Sequence, residues 1–399
     1  MTAIDLMLTV LLAPVLAGAV YLLVLTLVWR RPAVREQGAT DVRCCILVPA
    51  HNEGAGIGST ITSLQALDYR ASAFRVVVIA DNCSDDTAAV AAAHGADVII
   101  RQEPNRRGKG WALQYAINQL LDEVVPTWDV LVVVDADTVV SANLLRAVTT
   151  HIAGGAHAVQ VAYLPRPISD SATAVITEVA FAAFHLIRSG ARERLGLSCG
   201  LRGNGMAFRR DLLRQVPHTA FSRTEDLEFG VLLGLHDVRV AFAGEARVFG
   251  EMPERAEVVA IQRERWIGGR AALARRMAPA LIVGAVRRPS LMLADLAADL
   301  LLPPLSALLV MAVLGAILAT GLSLWMGTAA VSLLASLLAL CALAIHAGRA
   351  AVVAGRGRAF LAALRTVPAY AITKSLIAWR GLRPTDDTWI RTTREGELK

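Results

Sequence analysis

The residues of this chain that could do chemistry gather just after short apolar runs. Asp135-Ala136-Asp137 follows Val130–Val134. Two carboxylates at that spacing can hold a divalent cation, which would neutralise a departing diphosphate. Chance and helix capping also produce such triplets. Asp81 follows Arg75–Ala80 and can accept hydrogen bonds from a nucleobase or ribose, while Ser84, Asp85 or Asp86 is placed to cap a following helix. Asn105-Arg106-Arg107-Gly108-Lys109-Gly110 is a basic, glycine-bearing turn into a helix. Its backbone amides and Lys109 suit phosphate; a solvated loop is the plainer alternative.

Two more groupings lie downstream. Thr224-Glu225-Asp226 precedes an apolar helical pattern, Leu227–Leu235. It reads either as an N-cap with acids in the first turn or as a catalytic carboxylate. A sugar hydroxyl is a poor nucleophile until a base takes its proton in the transition state. Gln262-Arg263-Glu264-Arg265-Trp266 sets Gln262, Arg265 and Trp266 on one helical face. Arg265 suits phosphate, and Trp266 suits a sugar ring or a membrane-interface anchor.

Positioning these groups requires strands that end where they begin. Cys44–Val48, Arg75–Ala80, Asp97–Ile100, Val130–Val134 and Ala158–Ala162 are short and rich in Val and Ile, and read as buried strands. Helical patterns at Ile57–Leu67, Asp86–Ala93, Lys109–Glu123 and Ala142–Ile152 separate them. Such alternation implies an α/β domain with a mostly parallel sheet, whose ligands bind beyond the carboxyl ends of the strands. Pro49-Ala50-His51-Asn52-Glu53, Asp81 and Asp135/Asp137 all fall on that rim. So dense a set of like charges is expected of a site rather than of a structural protein.

The chain has 399 residues, of which 55% are hydrophobic, and a mean hydropathy of +0.50. Those values point to a soluble domain joined to a few membrane spans. A net charge of +6 is too small to imply nucleic acid; basic flanks of spans explain it. The five cysteines (Cys44, Cys45, Cys83, Cys199 and Cys341) lack metal-ligand spacing and read as reduced thiols. Leu6–Trp29 is apolar, uncharged and long enough to span, since a bilayer core takes roughly 20 helical residues; a signal peptide is the alternative, disfavoured by the length of the run and the lack of a basic residue before it. Arg30, Arg31 and Arg35 follow it, so the next domain is expected on the cytoplasmic side. Leu300–Leu318 and Ser323–Ile345 read as two further spans joined at Ala319–Leu322, with Arg349, Arg356 and Arg358 behind them. Arg270–Leu296 and Ala359–Trp379 mix apolar and basic residues and are expected to lie in the headgroup region, a fourth span being the alternative for Ala359–Trp379. The resulting layout is an anchor at 1–35, a cytosolic domain at 36–270, interfacial helices at 271–299, two spans at 300–346, and a basic interfacial helix and cytosolic tail at 347–399.

In order and spacing, Asp81, Asp135/Asp137, Thr224-Glu225-Asp226 and Gln262/Arg265/Trp266 resemble the motifs of the membrane-bound family 2 glycosyltransferases. That branch includes cellulose, chitin, hyaluronan and poly-N-acetylglucosamine synthases and ceramide glucosyltransferases. The resemblance covers about Arg43 to Trp266 and implies a GT-A fold, which is Rossmann-like. By resemblance, Pro49, Ala50, Asn52 and Glu53 match the nucleoside-binding opening and Asp81 the base-contacting acid. Lys109 matches a basic residue near the donor, and Asp135 and Asp137 the donor-diphosphate and metal acids, with Mn²⁺ or Mg²⁺ as the cation. Asp226 matches the general base. Gln262, Arg265 and Trp266 match the segment at the acceptor end and the diphosphate. Ser198–Arg209, with Gly203, Asn204 and Gly205, resembles the loop lining the acceptor site, and Glu225 is assigned to the same acceptor and diphosphate group.

The resemblance implies an inverting, metal-dependent enzyme in a bacterial inner membrane, multi-pass, with its catalytic domain cytoplasmic. It would take a nucleotide-sugar, by family habit a UDP-sugar, and use a growing polysaccharide or a lipid-linked acceptor. The alternative is a glycolipid transferase of the ceramide type that adds one sugar. The chain has no gating-loop motif of the Phe-x-Val-Thr type, and only about three spans, which disfavours a polymer channel within one chain and leaves room for membrane partner subunits. A non-catalytic nucleotide-sugar-binding subunit is disfavoured because all the acids are retained, and a transporter because the spans hold almost no ionisable residue.

Overall fold

A computed structural model of the protein describes residues 2–32, 41–166, 170–251, 256–327 and 330–381. Arg35, Arg383 and the tail beyond residue 381 lie outside the described residues. The chain forms two compact units, one comprising 31–166 and 196–300, the other 1–30, 167–195 and 301–385.

The first unit is an eight-stranded sheet in the order β3-β2-β1-β4-β7-β6-β8-β5. Its elements in chain order are β1 (Cys44–Ala50), β2 (Phe74–Asp81), β3 (Asp97–Arg101), β4 (Val130–Val133), β5 (Thr138–Val140), β6 (Ala158–Pro165), β7 (Met206–Arg209) and β8 (Val240–Gly250). β1, β2, β3 and β4 pair in parallel, as do β6 and β8; β7 runs antiparallel to both β4 and β6, and β5 to β8. The central strands β1 and β4 are buried almost throughout, which accounts for their continuous apolar sequence. A core built from β1, β2, β4, β6, β8 and the helices covering them runs through Ile46, Val48, Val132, Leu145, Val159 and Val248.

The chain's first helix, α1 (Ala3–Val28), belongs to the second unit. The sheet's helices are α2 (Ile57–Gln65), α3 (Thr87–Ala93), α4 (Lys109–Leu121) and α5 (Leu144–Ala153). The expected strands and helices of this half are all present, shifted by a few residues at their ends. Three strands had not been read. β5 and β7 are only a few residues long, and β8 carries an Ala-Gly-Glu-Ala stretch at its middle, where a register shift against β6 breaks the alternation.

After β6 the chain enters α6 (Ala172–Phe181), passes through a π-helical stretch (Ala182–Arg188) and leaves as α7 (Ser189–Arg194). Ala172–Arg194 as a whole is long and apolar enough to cross a membrane, alongside Ala3–Val28, Leu305–Met326 and Val331–Val353. Three such segments are expected from sequence, which leaves this stretch within the soluble domain; Glu178, His185, Arg188 and Arg192 interrupt its apolar run. Those charges face inward: Arg188 and Arg192 are buried, the Arg192 guanidinium donates to Tyr21 at 2.5 Å, and Arg188 lies over the Phe184 ring. Ala183, Ile187 and Ala191 pack with Leu25, Trp29 and Ala350. The strands on either side of this segment, β6 and β7, are hydrogen-bonded neighbours in one sheet. A single crossing of a bilayer would put them on opposite sides, so the pairing of β6 with β7 argues against a single crossing by Ala172–Arg194.

The remaining helices are α8 (Arg210–Gln215), α9 (Glu225–Leu235), α10 (Ala256–Arg287), α11 (Leu291–Leu301), α12 (Leu305–Met326), α13 (Val331–Val353), α14 (Gly357–Ala363) and α15 (Val367–Gly381). The interfacial stretch at Arg270–Leu296 is thus the end of one long helix and the body of a second. The turn expected at Ala319–Leu322 is helical instead, and α12 continues to Gly327, whose φ of +62° ends it. Threonine and a single glycine do not break an apolar helix, whereas a left-handed residue does. Ala359–Trp379 is divided between α14 and α15. In the second unit α1, α12 and α13 pack closely where side chains are small: a Cβ on Gly315 would lie 2.6 Å from Leu12 and 2.8 Å from the Ser336 hydroxyl. The Asp5 carboxylate accepts from the Val331 and Ser332 amides at 3.1 Å and so caps α13.

Single cysteines at Asp170 and Leu195, in a chain otherwise free of accessible thiols, should react with an impermeant maleimide from the same side of a sealed vesicle. Labelling from opposite sides would refute the one-sided path of Ala172–Arg194.

Candidate functional site

At one end of the rim, β2 and β3 lie in parallel register with Asp81 opposite Arg101. Arg101 is 2% exposed and donates to the Asp81 carboxylate at 2.5 Å; Asn82 donates to the same oxygen at 3.0 Å. Burial raises the Asp81 pKa, and Arg101 and Asn82 oppose it. Sequence reasoning placed Asp81 at this rim and missed Arg101; the signal was a cation closing the neighbouring apolar strand. The helix-capping role falls to Asp85, which accepts from the Gly54 and Thr87 amides at 3.0 and 3.1 Å. That leaves Asp81 for other work. Pro49 and Ala50 close β1, and Asn52 turns away in the left-handed region at φ +54°, accepting from the Ser84 amide at 2.8 Å. The Glu53 amide donates to Thr87 at 2.8 Å. These bonds shape the rim around Asp81.

At the other end the focus is Lys109, the first residue of α4. Its ammonium donates to Asp135 at 2.5 Å and to the Gly203 carbonyl at 2.5 Å, and lies 3.9 Å from Glu225. Burial works against its charge, but Asp135 and Glu225 outweigh burial and hold its pKa above the ordinary lysine value. Gly110 lets α4 begin this close to the opposite loop: a Cβ there would sit 2.2 Å from the Ala220 carbonyl oxygen. Next to it Trp111 stacks on Phe221 at 3.8 Å, fixing the segment that leads into Thr224.

Thr224 is the N-cap of α9 but its side chain makes no capping bond, while Glu225, Asp226 and Glu228 occupy the first turn. Burial, and then the Asp226 charge, push Glu225 up to about 7 against the pull of Lys109. Burial raises Asp226 as well, opposed by the Leu227 amide, Lys109 and Arg202. Gly203 lies against Asp226, where a Cβ would approach its carboxylate to 3.1 Å, and has a φ of +83°. Both facts call for glycine at this position.

The loop carrying Gly203 is held by Gln160, a fully buried amide in β6. Its oxygen accepts from the Arg202 amide at 2.8 Å, and its nitrogen donates to the Asn204 carbonyl at 2.7 Å. Asn204 then accepts from the Asp135 amide at 3.2 Å and donates to Thr138 at 2.8 Å. Asn204, read from sequence as an acceptor-loop residue, therefore splints the acidic turn 135–138 to the loop. Gln160, Thr138 and Arg202 were not singled out. A lone amide within the apolar Ala158–Ala162 was the available signal, because a buried amide needs partners.

Asp135 and Asp137 supply hard oxygen donors. Among the described residues no three His, Cys, Asp or Glu side chains form a metal-binding group. A cation there would complete its shell with diphosphate oxygens and water, as Mg²⁺ and Mn²⁺ readily do. Gln262, Arg265 and Trp266 are partly buried on α10. Burial lowers the Arg265 pKa, while Glu225, Asp135 and Asp226 act in the other direction, so this guanidinium shares the field of the acidic cluster. All five cysteines are free thiols, and burial pushes Cys44 and Cys45 up to about 12.

With this geometry the comparisons fall into place. A family model described as Glycosyltransferase like family 2 matches residues 43–269, and the chain belongs to that family. A beta-monoglucosyldiacylglycerol synthase of Synechocystis sp. is 30% identical over 239 residues, 56% of this chain and 47% of that protein. The chain thus spans about half the length of that relative. A mannosyltransferase from Pyrobaculum calidifontis, solved with GDP-Man and Mn²⁺, has a similar structure: TM-score 0.60, 19% identity, 95% of this chain and 96% of the other covered. At that identity the likeness is one of fold, and the sheet is of the GT-A type.

Glu225 sets a stability test. Its folded pKa of about 7 lies above the ordinary 4.5. Between those values the folded chain binds more protons than the unfolded one, so this residue's contribution to stability falls as pH rises through the window. The effect is on the order of 2–3 kcal/mol. E225Q should raise Tm by a few degrees at about pH 7.5 and leave it near wild type at about pH 5. A wild-type Tm above that of E225Q at the higher pH would contradict the assignment.

Proposed function

We propose that this protein is an inverting glycosyltransferase that moves a sugar from a nucleotide-sugar to a lipid acceptor at a membrane surface. The observation that carries the reading is the convergence of Asp135, Lys109, Glu225 and Asp226 on one rim of a sheet whose neighbouring strands present the Asp81–Arg101 pair. The base and ribose would lie against Asp81 and the Pro49–Glu53 turn. The diphosphate would lie toward Lys109 and Arg265. A divalent cation, Mn²⁺ or Mg²⁺, held by Asp135 and Asp137 would neutralise charge on the departing diphosphate.

Asp226 is the general base. As the acceptor oxygen bonds to the anomeric carbon, the bond from that carbon to the diphosphate oxygen breaks on the opposite face. The acceptor's proton passes to Asp226 and later to water. A carboxylate whose pKa is raised by burial is a better base than an exposed one. Lys109 keeps the acidic cluster neutral enough to receive an anionic donor. Gly203 and Asn204 shape the acceptor side, with Glu225 joined to Gly203 through Lys109 and Trp266 as an apolar plane on α10.

A lipid acceptor is supported by four helices of membrane-spanning length and composition and by a relative named as a glucosyldiacylglycerol synthase. Arg30 and Arg31 after α1, and Arg349, Arg356 and Arg358 at and after the end of α13, favour a cytoplasmic sheet by the positive-inside rule. A bacterial inner membrane is the setting that fits.

The test uses full-length protein in lipid nanodiscs with Mn²⁺, labelled nucleotide-sugars, and diacylglycerol or ceramide. A single lipid-soluble product is expected. A long ladder from one donor would overturn the lipid reading in favour of a polysaccharide synthase. D226N should lower kcat about a thousandfold and leave donor affinity within about threefold. Turnover of D226N at the wild-type rate would remove Asp226 from its role.

A further inference from the structure

Tyr163 belongs to none of the motifs. It lies in β6, partly buried, and packs against the main core of the sheet. β6 pairs with β8 and β8 with β5, and β5 begins at Thr138, the residue after Asp137. Tyr163 stands opposite Val248 and leans along β8 toward Gly250, which is the register partner of Thr138. A Cβ on Gly250 would lie 2.8 Å from the Tyr163 hydroxyl oxygen and 2.9 Å from Cε2. Gly250 is not among the glycines with positive φ, so what glycine provides there is space for the phenol. The ring therefore reaches the corner of the sheet beside the acidic turn. Asp135, Asp137 and Asp226 are the charges acting on it, and a phenol is neutral at physiological pH.

The chemistry of a phenol differs from that of everything around it. Carboxylates only accept hydrogen bonds, and Lys109 and Arg265 only donate. A sugar hydroxyl does both, and a neutral phenol is a partner that can answer in either direction. We infer that the Tyr163 hydroxyl hydrogen-bonds a hydroxyl of the transferred sugar, in a recess that Gly250 keeps open. This rests on the glycosyltransferase reading above and adds a sugar-contacting residue to it.

Y163F keeps the ring and removes only the hydroxyl. In nanodiscs, with a nucleotide-sugar that supports turnover, it should lower kcat/KM about tenfold, the loss expected for one hydrogen bond. Inhibition by the free nucleoside diphosphate should stay within about twofold, because that ligand carries no sugar, and Tm should stay within a degree or two. G250A, which displaces the hydroxyl, should reproduce the loss, and Y163F/G250A should be no worse than the weaker single variant. Wild-type kcat/KM in Y163F would overturn the inference, as would an equal loss of nucleoside diphosphate binding, which would make Tyr163 a packing residue. Wild-type protein that transfers no sugar would refute the enzymatic reading itself, and is thereby distinguished from failure of this inference.

Discussion

One largely buried ammonium holds the acidic end of the rim together. Lys109 touches the end of β4 through Asp135, the 200s loop through the Gly203 carbonyl, and the start of α9 through Glu225. Without it, Asp135, Glu225 and Asp226 would be like charges sharing a poorly solvated space, and the cost of ionising them together would be several kcal/mol. With it, part of that negative charge is neutralised within the cluster. Gly110 and the Trp111–Phe221 stack exist to let α4 deliver the lysine at that depth.

The same rule, that buried polarity must be answered by a specific partner, organises the rest of the rim. Asp81 is answered by Arg101 across a parallel pair, and the 202–205 backbone by the Gln160 amide. Asn204 ties that loop to Asp135 and Thr138. Arg202, 3.6 Å from Asp299, links it onward to α11, whose Asp299 carbonyl accepts from Arg270 of α10. Loops that would be mobile if solvated are thus fixed relative to the sheet.

Much of this was legible in the sequence because it depends on local pattern. Apolar β1, β2 and β4 followed at once by polar residues gave the rim, and the order of the acidic motifs gave the family. What stayed hidden depends on long-range pairing. Arg101 matters only through its register with Asp81, and Gln160 only because β6 comes beside the Gly205 turn. β5 and β7 are too short for alternation to register. The charges of Ala172–Arg194 masked a helix that buries them against its neighbours, and that its flanking strands share a sheet could not be read from composition. The end of α12 was misplaced because a helix in apolar surroundings tolerates Thr320 and Gly321 and stops only at Gly327.

The most direct test of the central claim is a double-mutant cycle on Lys109 and Asp135, read by thermal unfolding of the full chain in nanodiscs. K109M alone should lower Tm by several degrees, because it strands the carboxylates. D135N alone should lower it less, and the double variant should recover part of the K109M loss, giving a coupling above about 1 kcal/mol. Additive losses would mean that the ammonium and the carboxylate do not depend on each other, and that something other than Lys109 assembles the site.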